Sequence, residues 1–152
     1  MSFSVVATCD IAAPAECVWE ALTDVARWSD WSHWLAWDSG TPALGERLQL
    51  RLTPPDGGGY AFAPEVIVLD APRHFAWIGR TGAPGVFDGE HHFVLTPIDQ
   101  GTRLENRERY SGILSPLMRH LPMMKGAKAG FDAMNEELRA RAEALYRRDR
   151  AG

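Results

Sequence analysis

The pattern of apolar and polar positions is strongest near the C-terminus, in Met124–Leu145. Apolar residues recur there at steps of three and four, the spacing that keeps side chains on one face of an α-helix. They are Met124, Ala127, Phe131, Met134, Leu138, Ala142 and Leu145. The other face is charged, so packing of the apolar face must supply most of the helix's stability. We predict one continuous helix over Met124–Leu145, packed against the strand-rich middle of the chain.

The start of the chain predicts one strand and two short helices. Apolar and polar residues alternate from Phe3 to Ile11, as in a half-buried strand. Pro14 suits the first turn of a helix, whose apolar side is formed by Val18, Trp19 and Leu22. A second short helical segment is predicted over Val25–Trp34, and its apolar side is formed by Trp28, Trp31 and Leu35.

From Gly45 to Ser111 the apolar period returns to two, and turn-forming residues divide this region into strands. The predicted strands are one centred on Leu48–Leu52, then Tyr60–Leu69, His74–Arg80, Val86–Thr96 and Thr102–Ser111. A turn at Pro54–Gly59 separates the first two, and a helical turn is predicted after Ser115–Pro116. A run of antiparallel strands followed by one long helix predicts an α+β domain.

Three stretches of the chain resemble the START-like superfamily, also called SRPBCC or polyketide cyclase/dehydrase-like. Ile11–Trp31 (IAAPAECVWEALTDVARWSDW) resembles its opening, and Phe87–Leu114 resembles the later strands of its small bacterial members. Phe131–Glu143 (FDAMNEELRARAE) resembles its C-terminal helix. The resemblance implies the helix-grip fold, a curved antiparallel sheet of seven strands around the long C-terminal helix, with a cavity between them. Superfamily members include lipid carriers, hormone receptors, polyketide cyclases and co-chaperone domains, so the fold does not select a function.

Composition excludes several classes of protein. A chain of 152 residues predicts one domain, residues 1–152. The net charge of −4 gives no support to a nucleic-acid or anionic-membrane partner. Cys9 and Cys17 lack metal-binding spacing, so we expect free thiols. No cluster of His, Cys and carboxylates has zinc spacing and no Gly-rich phosphate loop occurs, so we expect no metal and no cofactor. Because we find neither a secretory signal nor a membrane-spanning apolar run, we expect a cytoplasmic protein.

Strand alternation predicts which residues meet across the sheet. If the last hairpin pairs Leu95 with Leu104, antiparallel geometry fixes the neighbouring pairs. The pairs predicted by this register and that of the preceding hairpin are Phe93 with Asn106, His91 with Glu108, Trp77 with His91, and Phe75 with Phe93. A slip of one residue would turn all of these side chains outward.

The predicted ligand-binding site is an aromatic wall that carries a few polar groups. Its residues are Trp31, Trp34, Phe75, Trp77, His91, Phe93, Asn106, Glu108, Tyr110, Phe131 and Met134. His91 and Glu108 are the only catalytic candidates, although such a pair is more often structural. We hypothesise that the Glu108 carboxylate outweighs burial, so that it favours the charged form of His91. The other imidazole nitrogen would then be free toward the cavity.

Three functions are considered at the level of sequence, and we favour the first. The first is binding of a small lipid-like, isoprenoid or aromatic molecule, held mainly by apolar contacts. The second is a cyclase/aromatase-like enzyme in which His91 and Glu108 act as a general acid–base pair on a carbonyl substrate. The third is a co-chaperone-like interaction domain, whose signature would be an exposed apolar patch together with a closed cavity.

Overall fold

The computed structural model describes residues 2–53 and 59–151, and strands make up much of that part of the chain. The strands are β1 (Ser2–Ile11), β2 (Leu35–Ser39), β3 (Gln49–Leu52), β4 (Tyr60–Phe62), β5 (Glu65–Asp70), β6 (His74–Thr81), β7 (Phe87–Ile98) and β8 (Gly101–Ser111). The helices are α1 (Ala15–Thr23), α2 (Ser115–Met118), α3 (Pro122–Lys125) and α4 (Ala127–Ala151), and Val25–Asp30 forms a 3₁₀ helix.

The strands form an antiparallel sheet in the order β1-β8-β7-β6-β5 and a smaller one in the order β2-β3-β4. The stretch before β3 joins them, because the Gly45 N–H donates to the Val66 carbonyl at 2.9 Å and the Val66 N–H donates to the Glu46 carbonyl at 2.9 Å. The sheet does not close into a barrel within the described residues. With the long C-terminal helix, this is the predicted α+β helix-grip fold.

Helix α4 buries the predicted apolar stripe. Its buried residues include Phe131, Met134, Leu138, Ala142 and Leu145, and they join the hydrophobic core that includes Trp28, Phe75 and Leu104. The prediction of one continuous helix from Met124 was wrong. Gly126 ends α3 and α4 begins at Ala127, because glycine is a poor helix former and Pro122 opens a separate short helix.

Two further boundaries differ from the predictions for identifiable reasons. The helical segment predicted to reach Trp34 is a 3₁₀ helix that ends at Asp30. The Ser32 hydroxyl then accepts the N–H groups of Trp34 at 3.2 Å and Leu35 at 3.1 Å, which turns the chain into β2. The strand predicted over Tyr60–Leu69 is divided into β4 and β5 at Pro64, whose nitrogen cannot donate to a ladder.

These two differences also explain why the structure has two more strands than the pattern predicted. Eight strands are present in the described part of the chain, against six predicted from the pattern and seven implied by the resemblance. The predicted turn Pro54–Gly59 falls mainly on residues 54–58, which lie outside the described residues.

Candidate functional site

The predicted register across β6, β7 and β8 is correct. Leu95 pairs with Leu104 and Phe93 with Asn106, which brings the candidate residues of the central strands together. The remaining predicted pairs are also present, His91 with Glu108, Trp77 with His91, and Phe75 with Phe93. All of these residues except Glu108 are buried.

The aromatic side chains of β6 and β7 form a wall in which His91 is embedded. The centre of the imidazole lies 5.0 Å from the Trp77 ring, 4.5 Å from the Phe93 ring and 5.1 Å from the Phe131 ring on α4. Phe75 continues the wall, with its ring 5.5 Å from that of Trp77. His91 is therefore enclosed by apolar groups from both the sheet and the helix.

A row of polar side chains crosses this apolar interior from the sheet to α4. The His91 Nε2–H donates to the Asn106 Oδ1 at 2.5 Å, and the Asn106 Nδ2 donates to the Asn135 Oδ1 at 3.0 Å. Asn106 and Asn135 are 0% and 1% exposed. The Nδ2 of Asn135 is buried and has no hydrogen-bond partner among the described residues.

The Glu108 carboxylate lies on the other side of the imidazole. Its Oε2 is 3.5 Å from the His91 Nδ1 and accepts the Tyr110 hydroxyl at 3.0 Å. Its Oε1 occupies space over Gly89, where an added Cβ would lie 2.7 Å from it. Glu108 is partly exposed, so the polar row extends from the buried amides toward the surface.

The protonation of His91 differs from the hypothesis. Burial lowers the pKa of His91 below its usual value, and this outweighs the raising effects of the Glu108 carboxylate and of the hydrogen bond to Asn106. The Nε2 is also not free toward a cavity, since Asn106 holds it. Both corrections have one cause: the ring is enclosed on every side, which the sequence pattern did not show.

The tyrosine beside this pair keeps its proton. Burial first, and then the neighbouring Glu108 carboxylate, raise the pKa of Tyr110 above its usual value. The Tyr110 ring stacks at 5.6 Å on Phe87 and at 4.9 Å on Phe3, away from the aromatic wall. Tyr110 therefore acts as a hydrogen-bond donor to Glu108.

The interior between sheet and helix is nearly filled. An enclosed space that is bordered by both the sheet and α4 measures about 10 Å³, close to the least volume that holds a water molecule. Its lining residues are Leu22, Trp28, Trp31, Ser32, Leu35, Phe93, Met134, Asn135 and Leu138. Three of the predicted ligand-binding residues, Trp31, Phe93 and Met134, therefore border it. Trp34 lies instead near Gly130 of α4, about 3.5 Å from where a Cβ would stand.

Sequence reasoning missed two residues of this site, Asn135 and Gly89. Asn135 lies four residues after Phe131 and three before Leu138, so it continues the apolar stripe of α4. A polar residue inside such a stripe was a detectable signal. Gly89 shares the inward face of β7 with His91, and only the fold shows that the Glu108 carboxylate fills the space left by its missing side chain.

Two further features were looked for in the described residues, a metal site and a membrane-spanning helix. Among the described residues, no three His, Cys, Asp or Glu side chains are grouped closely enough to hold a metal ion. The helices of the described chain include none that is both long and apolar enough to span a membrane.

Comparison with known proteins is consistent with this architecture. The family model described as "Polyketide cyclase / dehydrase and lipid transport" matches residues 2–143. The chain belongs to this family. No curated protein matches the chain significantly.

Solved structures of similar fold extend the family comparison. Protein MLL2253 from Mesorhizobium loti is 24% identical over 96% of this chain and 98% of its own, with a TM-score of 0.61. Protein CV1439 from Chromobacterium violaceum is 16% identical over 92% of this chain and 97% of its own, with a TM-score of 0.72. BexL, a di-domain ARO/CYC from the BE-7585A biosynthetic pathway, is 15% identical over 95% of this chain and 50% of its own, with a TM-score of 0.68.

Proposed function

We propose that this chain is a single ligand-binding domain that holds a small hydrophobic molecule, lipid-like, isoprenoid or aromatic, between the sheet and α4. The observation that carries the proposal is the buried row His91–Asn106–Asn135, which ends on an unpaired amide N–H. The family description, which names both cyclases and lipid transport, supports the same class of ligand.

The buried row has an energetic cost that packing alone does not explain. A buried polar group without a partner destabilises a protein by about 1–3 kcal/mol relative to a paired one. Asn106 and Asn135, which are 0% and 1% exposed, therefore make the core less stable than Leu or Met would at the same positions. A ligand with a carbonyl or hydroxyl oxygen would accept the free N–H of Asn135, while its apolar body lies along Phe93 and Met134.

The proposal is tested with two probes of nearly equal shape, 2-acetylnaphthalene and 2-ethylnaphthalene. The ketone oxygen of the first accepts a hydrogen bond and the ethyl group of the second does not. One hydrogen bond is worth about 1 kcal/mol, so the protein should bind the ketone roughly five-fold more tightly, with micromolar affinity. Asn135→Leu should remove this preference and leave the affinity for 2-ethylnaphthalene within about two-fold. Calorimetric titration measures both affinities.

A second variant keeps the experiment interpretable if Asn135→Leu is unstable. Asn135→Met also removes the amide donor, and its flexible apolar side chain adapts to the space at the contact between sheet and helix. It should lose the preference in the same way. The proposal is wrong if the protein binds neither naphthalene, nor fatty acids or isoprenoids, below about 1 mM, the weak limit of specific recognition.

The His91–Glu108–Tyr110 arrangement favours a cyclase/aromatase-like activity as a second candidate. With the Nε2 proton engaged by Asn106, a neutral imidazole has its lone pair on Nδ1, 3.5 Å from the Glu108 carboxylate. Nδ1 could remove a proton from the carbon next to a carbonyl, and Glu108 would stabilise the resulting imidazolium. The ketone probe tests this as well, because exchange of its methyl hydrogens with deuterated water would be catalysed by the protein and lost in His91→Gln.

The third candidate, an interaction domain, shares two features with the structure. The interior is nearly closed, and several large apolar side chains are exposed after β8. A closed interior alone does not account for the buried amide row, which is why ligand binding is preferred.

A further inference from the structure

The segment between β8 and α4 exposes an unusual set of apolar side chains. We call residues 112–126 the connecting segment, and they include the short helices α2 and α3. The exposed fractions of its large apolar residues are Ile113 79%, Leu114 41%, Leu117 67% and Met123 53%. These four make up half of the large apolar residues that are exposed in the described chain. Leaving this much apolar surface in water is unfavourable, and such patches mark interaction sites.

The same region carries only positive charge. No Asp or Glu occurs between Glu108 and Asp132, whereas Arg119, Lys125 and Lys128 all lie there. Lys125 and Lys128 are the only two lysines in the sequence, and the protein as a whole has a net charge of −4. Among the described residues, neither Arg119 nor Lys125 forms an ion pair, while Lys128 pairs with Asp132 at 3.0 Å. In the sequence, the cations are thus concentrated around the exposed apolar residues.

An uncharged turn extends this surface. The Ile113 N–H donates to the Gly85 carbonyl and the Leu114 N–H donates to the Val86 carbonyl, both at 3.0 Å, which fixes the connecting segment against the turn between β6 and β7. That turn is exposed from Gly82 to Gly85 and contains no charged residue. Gly112 permits the close approach, because its φ is +111° and an added Cβ would lie 2.5 Å from the Val86 carbonyl oxygen.

We propose that the connecting segment, together with the turn 82–85, docks on the surface of a lipid bilayer that contains anionic lipids. Exposed Leu, Ile and Met side chains can enter the boundary between headgroups and acyl chains. Arg119 and Lys125 then face the negative headgroups, each contributing about five-fold to binding. A protein partner fits less well, since lysine is depleted at the centres of protein interfaces.

The negative net charge of the chain does not oppose this docking. Charges separated by more than about 8–10 Å are largely screened at physiological ionic strength, so the local cations determine the field at the bilayer. The whole-chain charge of −4 gives no support to an anionic membrane partner, whereas the local distribution of charge favours one. The inference rests on surface residues alone, and it holds or fails independently of ligand binding in the interior.

Flotation with lipid vesicles tests the proposal. The full chain should bind vesicles of phosphatidylcholine with about one-third phosphatidylglycerol, bind phosphatidylcholine vesicles far less, and dissociate at about 0.5 M salt. Leu117→Glu should lower the partition coefficient by about ten-fold, because it removes an apolar side chain that would enter the bilayer and adds a charge that the anionic headgroups repel. The double variant Arg119→Glu/Lys125→Glu should lower it at least as much.

Matched controls separate docking from general effects on the protein. Leu44→Glu changes a leucine that is also 67% exposed but lies before β3, and Arg73→Glu changes an exposed arginine in the β5–β6 turn. Both should leave vesicle binding unchanged. The proposal is overturned if the wild-type chain does not float with anionic vesicles, or if Leu44→Glu impairs binding as much as Leu117→Glu. A concentration-dependent dimer that Leu117→Glu dissociates, without any vesicle binding, would assign the surface to a second copy instead.

Discussion

Opposing effects act on the pKa of His91. Burial among Trp77, Phe93 and Phe131 favours the neutral ring, while the Glu108 carboxylate and Asn106 favour the charged one. Burial prevails because the ring is enclosed, whereas Glu108 is partly exposed and solvent weakens its field. His91 is therefore a neutral donor to Asn106 near neutral pH, with its basic nitrogen toward Glu108.

The lowered pKa of His91 predicts a specific pH dependence of stability. An unfolded chain binds a proton at His91 below about pH 6.5, whereas the folded protein accepts it only at lower pH. The free energy of unfolding should therefore fall as the pH decreases below about 6.5, by up to about 1.4 kcal/mol per pH unit for this one group. His91→Gln should remove that part of the slope in urea unfolding measured between about pH 5 and 7.

Two other histidines have lowered pKa values and need a control. His74 and His92, whose rings are hydrogen-bonded at 2.8 Å, also have pKa values lowered mainly by burial. Their contributions are largely common to the wild-type protein and His91→Gln, because the His91 charge is the smallest of the causes that lower the pKa of His92, so the difference between the two slopes reports mainly on His91. Equal slopes would show that His91 keeps an ordinary pKa in the folded protein.

At the scale of single residues, strand alternation predicted which residues lie opposite each other, but it did not predict which groups surround them. The period of two and one hairpin register placed His91 opposite Glu108 and Phe93 opposite Asn106. The contact between Asn106 and Asn135 joins residues on a strand and on a helix, 29 positions apart. No local period relates such residues, so this part of the site required the fold.

At the scale of elements, strong periodicity predicted the long helix and the strands, and single residues decided their ends. The stripe from Phe131 to Leu145 is buried as predicted. Each boundary that differs from its prediction is explained by one residue. Pro64 lacks an N–H donor, the Ser32 hydroxyl accepts backbone hydrogen bonds, and Gly126 has weak helix propensity. Such effects act within one or two residues, which a pattern averaged over a turn or a strand does not resolve.

The buried stripe of α4 predicts a large loss of stability on truncation. Leu138 is 1% exposed and lies in the core, so Leu138→Ala should lower the free energy of unfolding by about 2–5 kcal/mol. Leu44→Ala makes the same chemical change at a position that is 67% exposed and should cost less than about 0.5 kcal/mol. Urea unfolding measures both. A loss below about 0.5 kcal/mol for Leu138→Ala would contradict the packing of α4 on the sheet.

At the scale of the whole molecule, the filled interior sets a condition on ligand binding. An enclosed space of about 10 Å³ admits at most a water molecule. A naphthalene-sized ligand must therefore displace side chains at the contact between sheet and helix. We expect Phe131 to be the side chain that moves, because it lies in the second turn of α4, close to the break at Gly126, and its ring is 5.1 Å from that of His91.

This condition predicts that Phe131→Ala lowers the stability of the protein and raises its affinity for the ligand. Removing the ring should lower the free energy of unfolding by about 3–5 kcal/mol, as Phe→Ala changes in cores do. It should also create space beside His91 and remove the need to displace a side chain, so 2-ethylnaphthalene should bind about ten-fold more tightly by calorimetric titration.

Phe87→Ala is the matched control: Phe87 is also 9% exposed, but it stacks on Tyr110, away from the aromatic wall. The control should be destabilised without a gain in affinity. If Phe131→Ala is destabilised and binds no better than the wild-type protein, the ligand does not enter between the sheet and α4, and the interior is a closed core.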